Sequence, residues 1–175
     1  MTFLTGFPLL VLVYYVTGGV YLVDPAVSSI TPGWAITVGV GLLVVSWIVY
    51  DLLCRSPLGK HDSVLGLIVF ALLVVLGWGL SRTLGGRAMF IHVGTCIGTI
   101  MAANVFFVII PGQKRMVVAM RAGEEPDPLD GVRGKQRSVH NNYLTLPVLF
   151  TMISHHYAAT YSHPHGWAVL ALIAA

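Results

Sequence analysis

Apart from Asp51, which stands at the end of one, no Lys, Arg, Asp or Glu falls inside the long apolar runs of this sequence. A charge at the centre of a hydrocarbon layer costs at least ~2.5–3.5 kcal/mol, so this partition is what a membrane-spanning chain requires. The rest of the composition agrees. Only 10% of residues are charged, against about 25% in soluble domains, and the mean hydropathy is +0.81. These figures exclude an ordinary cytosolic domain, a disordered chain and a nucleic-acid binder. The net charge of +3 belongs to the connections, where it suits anionic headgroups or an anionic substrate.

Five runs approach the roughly 20 helical residues that a ~30 Å hydrocarbon core demands: residues 3–23, 33–53, 63–80, 89–110 and 142–161. A sixth begins at Gly166 and is still apolar at Ala175. The spacing predicts an all-α, polytopic transmembrane helix bundle, one domain over 1–175, with five full spans and the start of a sixth. Such a chain is expected to be a piece of a longer protein. The breaks are punctuated by Asp24-Pro25, Thr31-Pro32-Gly33, Ser56-Pro57, Gly85-Gly86 and Pro111-Gly112, all turn-prone. Pro147 predicts a kink or local opening in the fifth run.

Eight of the ten Lys and Arg residues lie in the connections 54–62 and 111–141, and two lie between the third and fourth runs. The positive-inside rule therefore puts 111–141 and the amino terminus on the cytoplasmic side. The segment 111–141 reads as a cytoplasmic loop. Its first part, 113–122, reads as a short amphipathic helix at the headgroups.

The fourth run carries Gly94, Gly98 and Ala102 at four-residue intervals, a stripe of small residues that admits another helix closely, from this chain or from a partner protein. His92 on this run and His155 and His156 on the antiparallel fifth share an expected depth. Two imidazoles on facing helices can grip a haem iron; the alternative is a hydrogen bond from His92 to a neighbouring helix, with the paired histidines at the interface. His163 and His165 flank Pro164 and read as an exposed loop, and no metal site is expected. Near the opposite end, Asn104, Arg137, His140, Asn141 and Asn142 offer one cation, one imidazole and three amides. That set suits a flat, polar, anionic heterocycle; equally, Asn141 or Asn142 could cap the helix that follows. Asp51 and Arg55 are spaced for an i,i+4 ion pair. Cys54 and Cys96 form no disulfide framework, and no CxxCH, P-loop, GxGxxG or HExxH motif is present.

The run from Met89 to Lys114 (MFIHVGTCIGTIMAANVFFVIIPGQK), with Lys135 to Pro147 (KQRSVHNNYLTLP), Val11 to Tyr15 (VLVYY) and Val49 to Leu58 (VYDLLCRSPL), resembles the membrane domain of bacterial cytochrome c-linked urate oxidases (urate hydroxylases). The resemblance implies an inner-membrane helical domain that oxidises urate to 5-hydroxyisourate and passes electrons to a c-type cytochrome. It implies substrate-binding roles for Asn104, Arg137, His140, Asn141 and Asn142, and cofactor or electron-transfer roles for His92 and His156, with haem b as the candidate cofactor. Members of that family have a further helix before the first run here, and continue through membrane sequence into a cytochrome domain. Two other readings stay open: a non-catalytic accessory subunit of a respiratory or photosynthetic complex, and a haem b electron carrier.

Overall fold

A computed structural model describes residues 2–17 and 19–175. Among them there are helices and turns and no strand. We label the helices α1 (Thr2–Leu10, continued by a wide π-helical segment Val11–Val16), α2 (Pro32–Arg55), α3 (Asp62–Ser81), α4 (Gly86–Ala103, continued by a π segment Asn104–Ile109), α5 (Ile110–Ala122), α6 (Pro128–Ser154), α7 (Ala158–Tyr161) and α8 (Gly166–Ala174).

The centre of the molecule is α4. Every residue from Ala88 to Ile97 is buried, as expected of a helix apolar on all sides, and α1, α2, α3, α6 and α7 pack around it. Its few polar groups are satisfied locally. Thr95 donates to the Ile91 carbonyl at 2.8 Å and Thr99 to that of Thr95 at 2.8 Å. In α2 and α3 the pattern is inverted: Val40, Val44, Ile48, Leu52, Leu67, Leu72 and Val75 are exposed. Contiguous outward apolar faces of this extent suit lipid, not water.

Among the described residues, three helices are long and apolar enough to cross a membrane: Pro32–Arg55, Asp62–Ser81 and the continuous Gly86–Ala122. They carry the second, third and fourth sequence runs. The first run falls short. Its apolar helix is Phe3–Val16, about 21 Å at 1.5 Å per residue. Thr17 turns its hydroxyl back onto the Val13 carbonyl, and Gly19 adopts φ +81° with Pro32 packed against it, a backbone that residues with a Cβ rarely adopt. The apolar residues 20–23 therefore lie beyond the helix. The fifth run is divided: its residues up to Ser154 belong to α6, which starts far back in the polar region, and the remainder turns at His155 and His156 before α7.

The expected cytoplasmic loop 111–141 is instead almost wholly helical, with only 123–127 outside α5 and α6. The amphipathic helix expected over 113–122 is present in α5, and α6 begins earlier than the sequence run suggests. Pro111 lies where the π segment passes into α5, and the wider turn before it accommodates its missing N–H. Gly123 ends α5 at φ +76°, and Asp127 caps α6 by accepting from the Leu129 N–H at 2.9 Å, with Pro128 next. The two helices fold back on each other through Arg115, whose Nε donates to Asp130 at 2.8 Å. The Arg115 guanidinium holds the Asp130 carboxyl below the usual carboxylate range.

The small-residue stripe of α4 is covered by α6 of the same chain. A Cβ on Gly94 would sit 2.5 Å from Thr151 Oγ1, while one on Gly98 would meet only Val148 at 4.0 Å. Two expectations follow. Gly94→Ala should force α4 and α6 apart and cost about 1–3 kcal/mol, whereas Gly98→Ala should be close to neutral; thermal unfolding of both variants in the same detergent decides this. Because the folded Asp130 carboxyl is the stronger acid, its contribution is complete above the ordinary carboxylate range and fades as pH falls through the folded value. Hydrogen exchange across 112–131 should therefore quicken on acidification in the native chain, and be fast but pH-insensitive beyond the intrinsic rate in Asp130→Asn.

Candidate functional site

On α6, Arg137, His140, Asn141 and Leu144 fall at i, i+3, i+4 and i+7, a single helical face that turns toward α2 and the end of α4. Asn142 falls off that face and is exposed, so it lies outside the group that the other four candidates form. The partner face on α2 presents Tyr50, Asp51 and Cys54, all buried. Asn104, fully buried, opens the π segment that follows α4.

Arg137 is 3% exposed. Its Nη2 donates to Asp51 Oδ1 at 2.8 Å, and its guanidinium lies over the Tyr50 ring at 5.0 Å. Asp51 also pairs with Arg55 at 2.7 Å, the i,i+4 contact expected from sequence. The carboxylate is thus shared between an exposed and a buried cation. Tyr50 Oη lies 2.8 Å from His140 Nδ1 and accepts from Asn104 Nδ2 at 3.2 Å. The same Nδ2 donates to Asn141 Oδ1 at 2.9 Å, and Asn141 Nδ2 donates to the Met101 carbonyl at 3.0 Å. Gln136 anchors the next turn of α6 by donating to the Gly59 carbonyl. Two atoms of this network are buried without a partner: Arg137 Nη1 and Asn104 Oδ1. Orphaned polar atoms are rare in cores, and when they cluster they mark a place where a ligand, an ion or water completes the set.

Between α3, α6 and α8 the network opens onto a cavity of about 170 Å³ lined by Tyr50, Asp62, His140, Tyr143, Phe70 and apolar residues including Val69 and Leu144. Its volume and mostly apolar walls suit one small, flat molecule, held by a few polar groups at one end. Asp62 Oδ1 stands 3.9 Å from His140 Nε2. Burial pushes the His140 imidazole below its ordinary range; Asp62 opposes this and Arg137 adds to it. The ring is therefore neutral at physiological pH.

His92 is fully buried elsewhere in the bundle. Its Nδ1 bonds to the Ala88 carbonyl at 2.8 Å and its Nε2 to Tyr15 Oη at 3.0 Å. A Cβ on Gly39 would lie 2.9 Å from Nε2, so the ring faces packed protein on its iron-binding side. His156 is exposed beyond the end of α6 and stacks on His155 at 3.8 Å between centroids. With both nitrogens of His92 engaged and His156 off the helix, this pair does not fit a haem. His163 and His165 are exposed, as expected. Among the described residues no group of three or more His, Cys, Asp or Glu gathers to hold a metal.

Sequence reasoning missed Tyr50, which an apolar run conceals, and the second bond of Asp51; the signal available was that Asp51 is the one acid within such a run. It also missed Tyr15 as the partner of His92.

Over residues 1–175 the chain matches the family described as Urate oxidase N-terminal, and it belongs to that family. No curated protein and no solved structure gives a match.

The Asp51–Arg137 pair yields a stability test. Asp51→Leu leaves Arg137 buried without its counter-charge and should cost about 3–5 kcal/mol, while adding Arg137→Met should recover most of that loss. A double-mutant cycle by thermal unfolding reads both; a Leu/Met double variant no more stable than Asp51→Leu alone would count against the pair.

Proposed function

We propose that this member of the Urate oxidase N-terminal family is a membrane-embedded urate-oxidising domain that binds the purine in the cavity between α3, α6 and α8. The observation that carries this reading is the buried Arg137–Tyr50–Asn104–His140 network, which reaches that cavity through Tyr50 and His140. Urate is flat, polar and anionic at neutral pH. Apolar walls with Phe70 and Tyr143 take the faces of the ring system, and His140 and Tyr50 read its oxygen- and nitrogen-bearing edge. Arg137, Asn104 and Asn141 stand one layer behind, where they hold Tyr50 and His140 in position, and the Arg137 charge favours an anion nearby through the low-dielectric interior.

The reaction is a two-electron oxidation: urate plus water gives 5-hydroxyisourate, two protons and two electrons. The electrons go singly to an oxidant of the c-type cytochrome class, and the hydroxyl oxygen comes from water. The domain sits in the bacterial inner membrane with α5 and the start of α6 on the cytoplasmic side. This orientation rests on the eight basic residues gathered on one side of the chain. The small-residue stripe of α4 is filled by α6, so it lends no support to an accessory-subunit reading.

The test is urate-dependent reduction of added ferricytochrome c by the full-length protein in membrane vesicles. Turnover is expected, with His140→Gln lowering kcat/KM by about 10²-fold or more. A full-length protein that binds no urate and reduces no cytochrome overturns the reading.

A further inference from the structure

The hydrogen bonds that link Met101, Asn141, Asn104 and Tyr50 each run in one direction. The Met101 carbonyl can only accept, so the Asn141 atom 3.0 Å from it is the amide nitrogen. Asn141 therefore turns its Oδ1 to Asn104, and the Asn104 atom at 2.9 Å must be a donor, Nδ2. The second hydrogen on that nitrogen goes to Tyr50 Oη at 3.2 Å. With its oxygen accepting from Asn104, the Tyr50 hydroxyl keeps its own proton to give, and His140 Nδ1 stands 2.8 Å from it. Cys54 Sγ lies 3.9 Å from the same Nδ1. A proton given by Tyr50 to Nδ1 leaves the imidazole proton on Nε2. That nitrogen is directed toward Asp62, whose Oδ1 at 3.9 Å is beyond hydrogen-bond reach, and among the described residues no hydrogen bond engages it. The titratable and charged groups facing His140 are thus Tyr50 and Cys54 from α2, Asp62 from α3 and Arg137 on its own helix.

We infer that Asn141, Asn104 and Tyr50 form a one-way relay of positioning residues that holds His140 in the Nε2–H form, so that the cavity between α3, α6 and α8 is read by a hydrogen-bond donor. Its occupant must then present an acceptor there, a carbonyl oxygen or a deprotonated ring nitrogen, and a molecule offering an N–H at that edge is rejected because two donors would face each other. For the identity of the occupant the inference rests on the urate reading; the relay itself does not depend on it.

The experiment is ¹⁵N NMR of the histidine-labelled full chain in lipid nanodiscs, at a pH where the ring is neutral, with Tyr50→Phe and Asn104→Leu beside the native protein. Free imidazole populates both tautomers. Native His140 should show only the Nε2–H pattern. Both variants should raise the Nδ1–H to Nε2–H ratio by roughly two- to tenfold, the factor carried by one hydrogen bond of ordinary strength. Asn104→Leu is the sharper test, since Asn104 does not touch His140 and a merely structural change would not move the proton. If one variant fails to fold, the other still decides. A native ring protonated at Nδ1, or an unchanged ratio in the folded variants, overturns the relay. Urate is then added to the same samples. A locked tautomer with His140 signals unmoved by urate leaves the relay standing and removes urate as occupant; signals moved by urate with an unchanged ratio in the variants do the reverse.

Discussion

The buried ion pair between Arg137 and Asp51 decides how the rest of the chain is arranged. A guanidinium 3% exposed is tolerable only beside its counter-charge, so α6 and α2, each packed on α4, must present these side chains to each other in one register. That register sets Tyr50 under the guanidinium and, one turn along α6, brings His140 to the Tyr50 hydroxyl. Slide either helix by one turn and three contacts fail together: the ion pair, the ring contact and the imidazole bond. Replacing the pair with apolar side chains would keep the packing while releasing this register, which separates what the charges contribute to stability from what they contribute to uniqueness.

The two π segments are a second constraint. The second, Asn104–Ile109, is followed closely by Pro111. A proline inside a helix removes one N–H and collides with the carbonyl four residues earlier; a wider turn beside it gives the backbone room to continue. Such bulges also rotate the side chains that follow them. The first presents Tyr14 and Tyr15 to His92, and the second begins at Asn104, which reaches both α2 and α6. A proline that looks like a helix breaker in the sequence thus helps to aim Asn104.

Much of this was legible in the sequence where one physical effect dominates. Residues 33–53, 63–80 and 89–110 are predominantly apolar, and hydrocarbon burial decides their helices. Residues 3–23 misled because hydropathy does not register Gly19, whose left-handed backbone ends the helical region early. In 111–141 the helix over 113–122 could be read from its amphipathic spacing; the start of α6 could not, because charge hides the cap at Asp127 and Pro128. The grouping of Asn104, Arg137, His140 and Asn141 could be read because helical spacing decides it. Tyr50 could not, since a tyrosine among valines and leucines looks like any other large side chain. The pairing of His92 with His156 assumed that the fifth run stays helical to its end, and α6 stops at Ser154.

Continuity from Gly86 to Ala122 makes one rod of 37 residues, about 55 Å long and so about 25 Å longer than the hydrocarbon layer is thick. The same rod forms the centre of the packed bundle at one end and carries the α5–α6 hairpin at the other. A force applied to the hairpin is therefore borne by the backbone that holds Asn104, with the π segment, where the regular i to i−4 ladder is interrupted, as the joint at which the rod yields first.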